Sequence, residues 1–417
     1  MKRLRDIAVA LSLALGAAPA LTVLTPVAQA AEQQQNKITT RAVATALKKA
    51  QELMGKKQWD PALAEIKKAQ AVENKTPFEA YQIDEFLGYV LLQQKKYGEA
   101  APVFERMLNS GFLPSEKVDD ITKTVAQLYF QVQNDRKAAE WARKWLDKHP
   151  SDIDMGVLLG QAYYRMNDFK NAAATMNKVV ANAERTGRKP DENWLLIVLS
   201  SQHKSENNEG VGEALKKLVR HYPKPQYWEN LLDIYRRKDT SERVQLGYYR
   251  LMDEVGILKN KDDYMEFAQL AMEAGVPGEA LRVVQKGFDN GTLKVEDKTE
   301  QGRYDRLLAA AKKQVAQDEP TLPQLAKEAE RAAQGQPDVG LGHAYLSYGK
   351  YSEAIAAFQR GLKKGGVTDP DEAQIAMGIA HLRAGQEDQA RQAFAAVKDG
   401  SRWKQLSELW QLHLQAS

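Results

Sequence analysis

The residues of this 417-residue chain best suited to chemistry are two glycine stretches, three acidic groupings and two histidines. Gly210-Val211-Gly212 ahead of Lys216-Lys217 has the composition of a phosphate-cradling loop. Such a loop needs a strand before it and a fixed glycine-to-lysine spacing, so that its backbone N–H groups converge on the anion. Neither is present, and the stretch reads as a widened turn between helices. Gly340-Leu341-Gly342 reads in the same way as a helix crossing, not a dinucleotide turn. Asp119-Asp120, Asp262-Asp263 and Asp369 with Asp371-Glu372 could share a proton as acid and base, but carboxylates at helix starts also offset the helix dipole, the plainer reading. His149 before Pro150 and His221 near Pro223 fall at helix ends, where a cation is favoured. The six histidines are scattered and there is no cysteine, which removes disulfides, thiolate metal ligands and cysteine nucleophiles. No HExxH, GxxxxGK[ST], GxSxG or EF-hand pattern occurs. The expectation is a non-enzyme with no catalytic residue, no metal and no cofactor.

Composition narrows the class further. The chain is 43% hydrophobic and 27% charged, with 27 Gly and 15 Pro, which excludes a wholly disordered or collagen-like protein. The formal charge is +4, half of it from Lys2, Arg3, Arg5 and Asp6. The remainder is too nearly neutral to draw nucleic acid by a global field. Those basic residues precede an apolar run, Ile7 to Ala20, and then the small-x-small pattern Ala28-Gln29-Ala30. Together they predict an export signal over 1–30, cleaved after Ala30, and a polar linker over 31–40. Pro19 and Pro26 interrupt the apolar stretch, which argues against an uncleaved anchor. No other segment approaches the length of a membrane span.

Positioning falls to a two-helix pattern that recurs from about 41 to 400 at spacings in the mid-thirties. One copy reads Leu159-Gly160…Tyr163, then Ala172, Met176 and Val179; others begin at Leu87-Gly88, Val125-Ala126, Leu231-Leu232, Phe267-Ala268, Leu341-Gly342 and Met377-Gly378. Two helices cross closely only where a small residue lets their backbones approach, so Gly160 is expected to face positions such as Ala172. Short polar turns, among them Lys95-Lys96-Tyr97-Gly98 and Asn167-Asp168-Phe169, force the paired helices antiparallel. A single pair cannot bury its own apolar stripe, whereas stacked pairs share a continuous core. The copy around Trp194 is imperfect. That over 301–337 is the most degraded, keeping Leu325, Ala329, Ala332 and Pro337 while Pro320 and Pro323 lengthen its connection. Residues 401–417 form a last helix with Trp403, Leu406, Leu409, Trp410 and Leu414 on one face. It is expected to cap the array, with a homodimer contact through Trp403 and Trp410 as the other use of that face.

This spacing resembles the tetratricopeptide repeat family. The resemblance implies an all-α fold, an α-solenoid in which about ten hairpins wind as a right-handed superhelix, and it implies that the first helix of each pair lines a concave groove. Carried onto this chain, the groove residues are Tyr89 and Leu92, Gln127 and Phe130, and Gln161, Tyr164 and Arg165. They continue through Leu199 and His203 to Asp233, Arg236 and Arg237, and then Gln269 and Met272. Alternating aromatics and amides suit an extended peptide, whose backbone the amides pair while the rings take its side chains; packing of Tyr89, Phe130 and Tyr164 against the neighbouring repeat is the competing reading.

Some stretches are more narrowly similar to exported tetratricopeptide proteins of Gram-negative bacteria that accompany TonB–ExbB–ExbD energy-transduction systems. They are Asp191-Glu192-Asn193-Trp194-Leu195, Tyr222-Pro223-Lys224 with Tyr227-Trp228, Ala126-Gln127-Leu128-Tyr129-Phe130, and Gly275-Val276-Pro277 with Glu279-Ala280. That similarity implies a periplasmic scaffold whose partners are other envelope proteins. Scaffolding of polysaccharide secretion or outer-membrane biogenesis is an alternative, and so is a peptidoglycan- or carbohydrate-binding module, which would need open Trp and Tyr faces for stacking on sugars.

Overall fold

A residue in left-handed backbone conformation closes most of the turns inside the hairpins. Lys57, Lys95, Gln133, Asn167 and Glu206 adopt φ of 56–61° there, and Gly275, Gly349 and Gly385 adopt 72–75°. The next residue then donates its N–H to a carbonyl five positions back, as in Lys96 to Leu91, Asn134 to Tyr129, Val276 to Ala271 and Lys350 to Tyr345, each at 2.9 Å. This closure satisfies carbonyls the helix end would orphan and reverses the chain within a few residues. Side-chain caps fix several helix starts, including a reciprocal box between Thr76 and Glu79 ahead of Pro77 and another between Asn260 and Asp263.

The computed structural model describes residues 37–416, and these are all-helical; the signal expected over 1–30 and most of the linker over 31–40 lie outside the described residues. Where the spacing reads as one array from 41 to 400, the helices group into two compact units that part between Asn207 and Asn208. The boundary falls between the two helices of the imperfect fifth hairpin.

The first unit holds α1 (Arg41–Gly55), α2 (Trp59–Gln70), α3 (Pro77–Gln93), α4 (Tyr97–Asn109), α5 (Ser115–Gln131), α6 (Asp135–Lys148), α7 (Ile153–Arg165), α8 (Phe169–Arg185) and α9 (Glu192–Lys204). Each packs on its sequence neighbours, and first helices of successive hairpins also touch: α1 on α3, α5 on α7 and α7 on α9. The predicted small residues do mark the crossings, but their partner differs from the expectation. A Cβ on Gly160 would lie 2.3 Å from Met176 Sδ, and one on Gly88 3.0 Å from the Phe104 ring. In the second unit Gly342 meets Phe358 at 2.7 Å and Gly378 meets Phe394 at 2.5 Å. The glycine of the first helix therefore makes room for a large side chain one turn beyond the small residue of the second, and that side chain fills the crossing.

The second unit holds α10 (Asn208–His221), α11 (Pro225–Arg236), α12 (Glu242–Glu254), α13 (Lys261–Glu273), α14 (Pro277–Asp289), α15 (Lys298–Asp318), α16 (Leu322–Arg331), α17 (Gln336–Ser347), α18 (Tyr351–Lys364), α19 (Pro370–Arg383), α20 (Glu387–Ala395) and α21 (Lys404–Ala416). Its packing is not purely sequential. The degraded hairpin, α15 and α16, buries little: Tyr304 and Ala311 on one helix, Leu322 and Ala329 on the other, while Leu325, expected at a core position, is exposed. The hairpins on either side of it meet directly instead. The Glu279 N–H donates to Ser347 Oγ at 2.9 Å, and a Cβ on Gly278 would lie 2.8 Å from the Ser347 carbonyl oxygen.

The last helix does more than cover the final hairpin. Besides α20 it packs on α10 and α12, with Leu406 inserted against Gly247 at a spacing, 2.4 Å to a would-be Cβ, that only glycine permits. Trp410 is wholly buried, stacked on Phe394 with ring centroids 5.6 Å apart, and Trp403 is 3% exposed with its indole N–H on Asp369. The two rings considered for a homodimer contact are thus buried within the unit.

Candidate partner-binding face

In the first unit the proposed groove residues lie along the first helices α3, α5, α7 and α9, and they are half-buried more often than open. Tyr89 packs edge-on against Trp59, with centroids 6.0 Å apart, and Leu92 rests on the core. Gln127 is half-buried, and its Oε1 is closed off from solvent without a partner among the described residues. Gln161 is also half-buried.

Phe130 and Tyr164 occupy equivalent places on successive first helices, and each ring carries a cation from the hairpin that follows. The Arg165 guanidinium sits 4.0 Å from the Phe130 ring centroid, donates to the Phe130 carbonyl at 3.3 Å and is ion-paired with Asp135. Lys204 Nζ sits 5.1 Å from the Tyr164 ring and 4.9 Å from that of Phe169, which meets Tyr164 edge-on. The Tyr164 hydroxyl shares a 2.8 Å hydrogen bond with Ser200 Oγ. That bond first, and the Lys204 ammonium after it, hold the phenol below its ordinary range. Among the described residues no carboxylate pairs with Lys204. Thus the two rings are neither core nor free: each is half-buried and carries a cation over its face, a contact worth about 0.5–2 kcal/mol. Sequence reasoning missed Phe169, Ser200 and Lys204. Phe169 was in view as a turn residue, but nothing in the spacing says that it leans on the Tyr164 ring of the same hairpin.

The second-unit residues form no comparable row. Asp233 and Arg237 pair with each other at 2.8 Å, Arg236 turns inward onto the Tyr249 hydroxyl and ring, and Gln269 bonds Glu273 at 3.0 Å on its own helix. Met272 is half-buried. Asp233 and Arg236 line a shallow hollow of about 230 Å³, where Glu229 is already paired with Lys259. The charges expected to face the groove at Asp233, Arg236 and Arg237 are therefore largely spent within the unit.

The stretches first considered for chemistry have structural work. Gly210 to Gly212 lie inside α10, not in a widened turn, and Gly212 admits the Tyr235 hydroxyl at 2.8 Å from a would-be Cβ. Asp119 is ion-paired with Lys148 and hydrogen-bonded to His149 Nε2, and Asp263 and Asp369 cap helix starts. Among the described residues no group of three metal-ligating side chains comes together, and no helix is long and apolar enough to cross a membrane. All seven tryptophans are described and none is exposed; the two least buried, Trp59 and Trp194, are covered by Tyr89 and Arg188.

Family models for the tetratricopeptide repeat match residues 47–114, 156–183 and 339–402. Among curated proteins, a segment of the transcription factor tau 131 kDa subunit of Saccharomyces cerevisiae is 31% identical over 78 residues, which is 19% of this chain and 7% of that subunit. Among solved structures, YrrB, a TPR protein with an unusual peptide-binding site, is 16% identical with a TM-score of 0.32, over 48% of this chain and 93% of YrrB. A tetratricopeptide repeat protein from Parabacteroides merdae is 15% identical with a TM-score of 0.30, over 65% of this chain and 99% of that one. MamA from Desulfovibrio magneticus is 16% identical with a TM-score of 0.29, over 43% of this chain and 94% of that one.

Proposed function

We propose that this chain, which carries tetratricopeptide repeats in both of its units, is an exported, periplasmic scaffold that catalyses nothing and captures an extended segment of another protein. The observation that carries the reading is the repeated ring-and-cation pair, Phe130 with Arg165 and Tyr164 with Lys204. Each pair offers an aromatic ring beside a cation; Asp135 already meets the Arg165 charge, while Lys204 has no carboxylate of its own among the described residues, so an extended segment with apolar side chains and an acidic one opposite Lys204 fits the row. Partners belonging to a TonB–ExbB–ExbD-type envelope system are part of the same proposal, which rests there on the short sequence similarities given above. The buried or covered state of every indole removes the main support for a sugar-stacking module.

The test has two arms. Phe130→Ala with Tyr164→Ala, and separately Lys204→Gln, should each reduce capture of envelope proteins from detergent-solubilised membranes while leaving far-ultraviolet circular dichroism unchanged. Capture unaffected by either variant would refute the face, and recovery of no TonB-system protein would refute that choice of partner. N-terminal sequencing of the mature protein checks export, with Ala31 the expected first residue.

A further inference from the structure

The second unit carries a cleft of about 500 Å³, roughly the volume of a small-molecule site, walled by α12, the turn before α14, and the starts of α17 and α19. Two arginines reach it from α12, seven residues apart and so on one face of the helix. Arg250 is 6% exposed. Its Nε and Nη2 both donate to Glu279 Oε2, at 2.9 and 2.8 Å, and Nη1 is bound to no described residue. Arg243 is mostly exposed and uses only Nη1, toward Glu372 at 2.8 Å. His343 lines the same wall, its ring edge-on to Phe358. Burial first, and then the charges of Arg250 and Arg243 against the opposing pull of Glu279, hold its imidazole down to about 3, so it is neutral and keeps one N–H to donate. The acidic residues of the wall are already engaged: Asp369 accepts from the Glu372 N–H and the Trp403 indole, and Glu372 holds Arg243. Gly275 and Gly340 leave the rest open, since a Cβ on either would meet nothing within 4 Å.

We propose that this cleft is a binding site for a single carboxylate, borne by a small organic acid or by the C-terminus of a peptide. Unspent donors on a buried arginine, a second arginine and a neutral imidazole that line one hollow can serve the two oxygens of one carboxylate. Arg250 is already balanced by Glu279 and Arg243 by Glu372, so a dianion such as phosphate fits less well than a monoanion. The site is separate from the ring-and-cation row of the first unit and stands whether or not that row binds a partner.

Titration of histidine-labelled full-length protein, followed by NMR at the His343 ring, tests the proposal with four probes: butyrate, N-acetyl-dialanine, the same peptide as its C-terminal amide, and inorganic phosphate. Saturable shifts with butyrate or with the free-acid peptide, and none with the amide, are expected; which acid binds tighter separates the two sources. Arg243→Gln should weaken binding about tenfold. Glu372→Gln, which frees Arg243, should tighten it, a gain that loss of structure cannot produce. Gly340→Leu, which extends into open space, should block it with the unfolding temperature retained. The proposal is overturned if neither acid perturbs His343 at tens of millimolar, if the amide or phosphate binds as well, or if Glu372→Gln leaves affinity unchanged.

Discussion

The two units solve one packing problem in different ways. In the first, every hairpin leans on its neighbours, and the turn residues with left-handed backbone are Lys57, Lys95, Gln133 and Asn167, side chains that carry strain in that conformation. In the second, the comparable turns use Gly275, Gly349 and Gly385, contacts skip over the degraded hairpin, and α21 ties α20 to α10 and α12. The second unit also buries a charge cluster: Glu279 faces Arg250 at 2.8 Å, with Arg282 and Arg383 nearby, and Asp253 holds Arg282 and Lys286, both at 2.7 Å. A sequential stack can lose or gain a member at modest cost, while a tied one depends on its closing element. The contrast leaves a row of ring-and-cation pairs along the first unit and a cleft of about 500 Å³ in the second.

The closing helix offers the largest test of that contrast. Trp410→Ala should cost about 3–5 kcal/mol. Hydrogen exchange should show the loss of protection spread over the second unit, in α10 and α12 as well as α20. Deprotection confined to α20 and α21 would mean that α21 is an ordinary cap and that the unit is not tied.

Glycine replacements probe how each unit tolerates crowding. A Cβ on Gly335 would lie 1.9 Å from the Gly361 carbonyl oxygen, which is backbone and cannot swing aside, whereas Gly160 is crowded by the flexible end of Met176. Gly335→Ala should therefore destabilise by roughly 3 kcal/mol or more and Gly160→Ala by distinctly less, with Gly160→Leu in the range of about 1–3 kcal/mol that overpacking brings. Denaturant unfolding of the three variants ranks them, and Gly160→Ala costing as much as Gly335→Ala would contradict the difference.

Acid separates the start of the first unit from its middle. Glu79 is fully buried, and burial by itself would push its carboxyl up. Hydrogen bonds from the Thr40, Thr76 and Thr39 N–H groups and the Thr40 hydroxyl outweigh that and hold it down to about 2 from an ordinary 4.5. A carboxyl depressed on folding contributes stability that is complete above the unfolded value and fades as pH falls through 4.5 toward the folded value. Glu79→Gln should accordingly lower stability at pH 7 and flatten the acid dependence between those limits, with α1 exchanging first. An unchanged acid slope in that variant would show that Glu79 does not anchor α1.

The smallest effect lies in the turns. Gln133→Gly relieves left-handed strain of about 1 kcal/mol, offset in part by the added freedom of the unfolded chain. The net gain should be a few tenths of a kcal/mol in the melting of the first unit. Gly349→Gln in the second unit should lose more than Gln133→Gly gains.

The helices, their turns and the small residues at their crossings were legible from residue types and spacing, because each is decided within some forty residues by capping, left-handed closure and the helical period. Gly88, Gly160, Gly342 and Gly378 could be named as crossings for that reason. Their true partners, Phe104, Met176, Phe358 and Phe394, were harder to assign, since side-chain direction shifts the contact by a turn. The buried face of α21 was also visible as an apolar stripe, but a stripe does not say what covers it.

Contacts between residues far apart in the chain were decided only by the tertiary structure. Arg243 with Glu372, Glu279 with Ser347, and Leu406 with Gly247 have no local signal, because repeats alike in pattern can stack in sequence or skip a member at nearly equal local energy. The sequence by itself determined that this chain is a series of helical hairpins. The packing determined that the series parts at Asn207, that one hairpin is left largely outside the core, and that two rings each acquire a cation, since these outcomes depend on which apolar faces find one another once the hairpins have formed.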